Sequence, residues 1–128
     1  MIYQIDSSRK MEELERRLQE SAVRHQFGVL AIHDLRETMK KKGVDLAMEC
    51  RVYEVCNALQ AKRALEADPR ISTTLPCRIS IYGGGGRLTI ATIRPTELMK
   101  GFSAPAIADV AREVEAAMIQ MILETAGE

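Results

Sequence analysis

Four consecutive glycines, Gly83–Gly86, separate two segments in which apolar and polar residues alternate. In the first segment Cys77, Ile79 and Ile81 are the apolar members, and the second segment repeats the pattern. A period of two is typical of strands that bury one face. The two segments therefore predict a β-hairpin. Because the glycines lie between two strands, and not between a strand and a helix, they do not predict a phosphate-binding loop.

The remaining chain predicts strands and helices in alternation. Met1–Ile5 and Cys50–Cys56 alternate like strands, and the continuous apolar run Phe27–Ile32 is typical of a buried strand. Apolar residues with helical spacing lie between these segments and again near the C-terminus. The predicted order is β-α-β-α-β-α-β-β-α, an α+β fold. The last helix carries the longest apolar stripe, formed by Ile107, Val110, Ala111, Val114, Met118, Met121 and Ile122.

Length and charge limit the classes of protein to consider. The 128 residues, 46% of them hydrophobic, suffice for one core, so we expect a single domain over residues 1–128. Eighteen basic residues balance eighteen acidic ones. The net charge thus gives no reason to expect nucleic acid or an anionic membrane as a partner.

The chain also predicts a location in the cytoplasm. No apolar run reaches the ~18 residues of a membrane span, and the amino terminus lacks the pattern of a secretory signal. The three cysteines are Cys50, Cys56 and Cys77, an odd number at irregular spacing. This pattern argues against a disulfide framework and a structural zinc site, and it fits a reducing compartment.

Several short motifs occur in an order that resembles a known family. They are Phe27-Gly28-Val29-Leu30, Lys42-Gly43-Val44, Val55-Cys56-Asn57, Ala64-Leu65-Glu66-Ala67, Leu75-Pro76-Cys77 and Pro95. Together they resemble the family catalogued as domain of unknown function 302, over roughly residues 1–125. The resemblance implies a fold similar to the TATA-binding-protein-like class, a mainly antiparallel sheet with helices on one face. It implies no established activity, and the shared fold does not imply DNA binding.

The chain departs from the family pattern at one of these motifs. The family usually has Cys-Asn-Pro where this chain has Cys56-Asn57-Ala58. Losing the proline removes a preset backbone angle at the start of a helix, whereas Asn57 can still cap it. Any role tied to this turn is correspondingly weaker here.

Cys56 and Cys77 are the candidate site residues. Cys56 comes directly before the helix that Asn57 caps, where backbone amides favour a thiolate, so we expect it to be the most reactive thiol. If the two strands are antiparallel, as the resemblance implies, Cys77 can be its resolving partner or a second metal ligand within disulfide reach. If they are parallel, the two thiols lie at opposite ends of the sheet.

Other readings of these residues remain open. Both cysteines can be small buried hydrophobes, and Cys50, on the same strand face as Cys56, fits packing best. His33 ends the run before the next helix and can serve as a ligand or base for a thiolate, or simply bond to a backbone group. With two histidines and no paired carboxylates or serine triad, no catalytic constellation is recognisable.

Three functions fit these features. The first is a binding module for a small molecule or soft metal ion, with a cysteine-lined cleft at the sheet edge formed by Cys56 and Cys77. The second is a thiol protein that relays sulfur or electrons through the same pair. The third is a structural homodimer without a ligand. The cofactor is not specified by any motif.

The last helix predicts the homodimer. Ile119 and Leu123 form a second apolar strip beside the core stripe, and one helix face against one sheet does not easily cover both. A twofold contact through this strip would bury it. The alternative is that Met1–Ile5 or the segment 96–102 covers the strip within one chain.

Overall fold

The computed structural model describes residues 1–127 as a five-stranded sheet with helices. The strands are β1 (Ile2–Ser7), β2 (Gly28–Asp34), β3 (Glu49–Cys56), β4 (Cys77–Gly84) and β5 (Arg87–Ile93). The helices are α1 (Met11–Arg24), α2 (Leu35–Lys40), α3 (Ala58–Ala67), α4 (Pro95–Leu98) and α5 (Pro105–Ala126), and a 3-10 helix spans Pro69–Thr74. The predicted α+β fold and its order are confirmed. The short 3-10 helix and α4 were missed, since neither is long enough to show a periodic apolar pattern.

The strands lie in the order β1-β5-β4-β3-β2, and every neighbouring pair is antiparallel. The predicted hairpin of β4 and β5 is present, with Gly85 and Gly86 at positive φ in its turn and Gly83 at positive φ near the end of β4. β1 pairs with β5, so that Ile2 lies opposite Ile93. This pairing places the first strand of the chain beside the last one, with β1 at the edge of the sheet.

One face of the sheet carries the core, and we call it the covered face. On β3 and β4 it presents Tyr53, Val55, Ile79 and Ile81, all fully buried. α1 and α5 contribute buried residues to the same cluster. The predicted stripe on α5 is buried at each of its seven positions. Burying such side chains contributes roughly 1.5–3 kcal/mol each, which makes this layer the main source of stability.

The opposite face is the open face, formed on β3 by Cys50, Val52 and Glu54 and on β4 by Arg78, Ser80 and Tyr82. The register pairs Cys50 with Tyr82, Val52 with Ser80 and Glu54 with Arg78. Directly paired residues of antiparallel strands share a face, so these six side chains lie together. All six are half-buried or exposed.

β2 corrects one prediction. The run Phe27–Ile32 was expected to be a buried strand, yet β2 lies at the edge of the sheet, with Leu30 64% and Ile32 39% exposed. A bulge shifts its register, because Val29 pairs with Val55 whereas Ala31 pairs with Glu54. A continuous apolar run does not distinguish a central strand from an edge strand. Because β2 is an edge strand, part of its apolar run is exposed.

Polar contacts join the ends of α1 and α5 beside the core. Glu124 accepts hydrogen bonds from Ser21 at 2.7 Å and Arg24 at 3.0 Å, and its other oxygen lies 3.1 Å from Nε2 of His25. These partners lower the pKa of Glu124 to about 2, with the Ser21 hydrogen bond as the largest cause. Arg17 donates to the carbonyl groups of Glu124 and Thr125 and so caps the end of α5.

Candidate functional site

A groove of about 570 Å³ lies on the open face of the sheet. Its floor includes Ser80 and Ala91, which pair across β4 and β5. Because both side chains are small, the larger residues around them stand above the floor and form walls. The resulting depression has the size of a small-molecule site, for which roughly 300–1,000 Å³ is usual.

Aliphatic side chains form most of the walls. Ile2, Met48, Ile93 and Leu98 all line the groove, and they are 50%, 41%, 38% and 36% exposed. They come from β1, the segment before β3, β5 and α4, so four separate parts of the chain converge here. Clustered exposed apolar residues are more informative than scattered ones, since they mark binding surfaces.

The polar groups of the groove are mostly uncharged and differ in kind. Gln4 offers an amide and Cys50 a thiol. Hydroxyl groups belong to the lining residues Thr73, Thr74, Ser80, Tyr82 and Thr92. Among the lining residues within the described part of the chain, Arg78 is the only one with a charged side chain. An apolar wall with a small number of polar groups is the usual composition of a ligand site.

Arg78 belongs to a short row of charged and polar groups across the open face. Its Nη2 lies 3.9 Å from Oε2 of Glu54, and Oε1 of Glu54 lies 2.9 Å from Nε2 of His33. The contact with Glu54 is long, and it is open to water because the Arg78 side chain is 60% exposed. Such a pair contributes little to stability and leaves the guanidinium free to bind another acceptor.

Cys56 and Cys77 lie at the same end of the sheet, because β3 and β4 are antiparallel. Cys77 is opposite Val55, one residue before Cys56. Both cysteines line a void of about 20 Å³ beside α3, which has room for about one water molecule. A ligand cleft formed by this pair stays a prediction. The three cysteines are free, and the predicted disulfide reach stays a prediction.

The thiol pKa values move in the opposite direction from the one expected for a reactive pair. Burial raises the pKa of Cys56. Burial, and next the neighbouring Cys56, raise the pKa of Cys77 to about 11, opposed by Arg78. The lowered Cys56 pKa expected at the start of a helix is thus wrong, since desolvation of the thiolate is the dominant cause here. That Cys56 alkylates first among the three thiols stays a prediction.

Of the other two candidate residues, Asn57 lines the same void as the pair, whereas His33 lies away from it. His33 lies opposite Val52 on the open face, four residues along β3 from Cys56, or roughly 13 Å. It therefore cannot act as a base for the Cys56 thiolate, and it bonds Glu54 instead. The side-chain oxygen of Asn57 accepts a hydrogen bond from the Gln60 amide at 3.2 Å, so Asn57 caps α3.

A metal site at the cysteines finds no support in the arrangement of ligands. Within residues 1–127 no group of three or more His, Cys, Asp and Glu side chains could hold a metal ion. Nor does any helix in that range have the length and apolar character needed to cross a membrane.

The apolar strip on α5 is only partly open. Ile119 is half-buried, whereas Leu123 is 42% exposed. Of the two side chains, only Leu123 is therefore clearly exposed. The homodimer through this strip stays a prediction.

Sequence reasoning missed the groove because its parts are far apart in the chain. Ile2 and Ile93 become neighbours only through the pairing of β1 with β5. The available signal was the alternation itself, in which Arg78, Ser80 and Tyr82 mark the face of β4 away from the core. Only the strand order shows that the apolar side chains of the walls lie around that face.

Comparisons with known proteins agree on one family. The family model described as domain of unknown function DUF302 matches residues 3–125. The crystal structure of an uncharacterized conserved protein DUF302 from Bacillus stearothermophilus is 30% identical in sequence, with a TM-score of 0.89 and 98% of each chain covered. No match was found among curated proteins.

Proposed function

The chain belongs to the DUF302 family, which carries no established activity. From the geometry of the groove we propose that the protein is a binding module for a small, mainly apolar molecule. The observation that carries this proposal is the convergence of four exposed aliphatic side chains around a groove of about 570 Å³. Leaving these side chains in water has a cost of roughly 25 cal/mol per Å² of apolar surface. A ligand that covers them recovers that free energy.

The proposed site lies on the open face of the sheet, whereas the sequence predicted a cleft at the sheet edge beside Cys56 and Cys77. The void beside Cys56 holds about one water, whereas the groove is the size of a ligand. Cys50 and Cys77 line the groove, but burial raises the pKa of both thiols, which supports binding over thiol chemistry. A relay through Cys56 and Cys77 lacks a supporting observation of this kind.

Fluorescence of N-phenyl-1-naphthylamine, a neutral apolar dye, tests the proposal. We expect its emission to rise on binding to the wild-type protein, and the chain has no tryptophan to interfere. Ser80→Phe fills the floor of the groove and should weaken dye binding at least about tenfold, or roughly 1.4 kcal/mol.

Ser103→Phe is the matched control, since Ser103 is exposed and does not line the groove. It should leave dye binding unchanged, and circular dichroism should show both variants folded. Absence of dye binding by the wild-type protein, or equal binding by the two variants, would contradict the proposal.

A further inference from the structure

The charge of the groove indicates the chemical class of its ligand. Arg78 is its only charged lining residue within the described part of the chain, and no carboxylate faces the groove from the opposite walls. The nearest carboxylate, Glu54, lies outside the lining residues at 3.9 Å from Arg78. An apolar surface with one cation is complementary to an apolar molecule with one anionic group.

On this basis, and resting on the proposed binding function, we propose that the groove takes a free aliphatic carboxylate, with its carboxylate on Arg78 and its chain along the groove. A single guanidinium matches a single carboxylate, because its fork of N–H donors binds the two oxygens side by side. A phosphate dianion would require more positive charge than this groove contains. A carboxylate, with its single negative charge, therefore matches the single positive charge of Arg78.

The walls favour a flexible chain over a flat ring system. Ile2, Met48, Ile93 and Leu98 are aliphatic, and methionine adapts to irregular partners. From Arg78 to Tyr82 the groove follows β4 for four residues, or roughly 13 Å. A medium-length alkyl chain covers that distance when its head lies at Arg78.

Glu54 makes this interaction adjustable. Among residues 1–127 it is the carboxylate that pairs with the Arg78 guanidinium, and its other oxygen lies 2.9 Å from Nε2 of His33. The 3.9 Å separation is longer than a charge-assisted hydrogen bond, so an incoming carboxylate can bind Arg78 more closely. Removing the Glu54 charge should therefore strengthen the binding of the ligand.

Competition against the bound dye by decanoate and decanol, below their micelle concentrations, tests the proposal. The two molecules share a chain and differ in the charge of the head. We expect the wild-type protein to prefer decanoate by about tenfold, with the preference shrinking at high salt. Arg78→Gln should lose about tenfold in decanoate affinity and keep its decanol affinity, and Glu54→Gln should gain a few-fold for decanoate.

Arg70→Gln is the control, because Arg70 is 83% exposed, pairs with Asp68 and does not line the groove. Equal affinity for decanoate and decanol overturns the carboxylate proposal and leaves the apolar site standing. If neither molecule displaces the dye, the proposed function fails as well. A decanoate preference that survives in Arg78→Gln, or sedimentation with anionic phosphatidylglycerol vesicles without binding of free decanoate, also overturns the proposal.

Discussion

The two faces of the sheet are built from alternate residues of the same strands, yet they meet different requirements. On the covered face Tyr53, Ile79 and Ile81 are fully buried beneath the helices. On the open face Ser80 and Tyr82, their neighbours along β4, remain in contact with water. Residues of the covered face are constrained by packing. Those of the open face are not, and the proposed function accounts for their small floor, aliphatic walls and single cationic side chain as parts of a binding groove.

The largest expected effect comes from truncating one isoleucine on each face. Ile79→Ala should destabilise the protein by about 3 kcal/mol, because it leaves a cavity in the core. Ile93→Ala removes a side chain that is 38% exposed and should cost under about 1 kcal/mol. Urea unfolding measures both. Similar losses for the two variants would remove the distinction between the faces.

A smaller effect is expected from removing one hydroxyl group on each face. The Tyr53 hydroxyl, which is buried, donates to Oε1 of Glu15 at 2.9 Å, and burial is the main cause that raises the pKa of Tyr53. Tyr53→Phe should therefore lose about 1–2 kcal/mol. Tyr82→Phe on the open face should change stability by less than about 0.5 kcal/mol. Thermal and urea denaturation measure both variants, and equally small losses would show that the Tyr53 contact is unimportant.

The smallest expected effect concerns acid and the helices of the covered face. The Glu124 pKa is lowered to about 2, so its contribution is complete above the unfolded value near 4.5 and is lost as the pH falls toward 2. We expect a loss of about 1 kcal/mol, reduced by solvent screening of its exposed partners.

Unfolding measured from pH 6 to pH 2.5 checks this expectation. Glu124→Gln should flatten the dependence over that range, and Glu66→Gln, a change at an exposed helix pair with Lys62, should not. A wild-type profile that Glu124→Gln leaves unaltered would assign the acid sensitivity to other groups.

The covered face could largely be predicted from the sequence, whereas the site could not. The stripe on α5 and the alternation in β3 and β4 are local periodic patterns, and burial by the sheet follows directly from them. The groove depends on the position of β1 beside β5, which no local pattern specifies. The direction of the Cys56 pKa was hidden for a related reason, because the helix start is visible in the sequence and the burial of Cys56, which raises that pKa, is not.

The bulge in β2 has a consequence for any comparison of related chains. Leu30 takes up one position that has no partner between Val29 and Ala31, and it thereby decides that His33 faces Glu54 while Asp34 faces Arg51. If the strand had no bulge and Leu30 paired with Glu54, the one-residue shift would turn His33 toward the helices and Ile32 away from them. A related chain that lacks the extra residue needs a gap at this point, and an alignment that omits the gap exchanges the inward and outward positions over the rest of the strand.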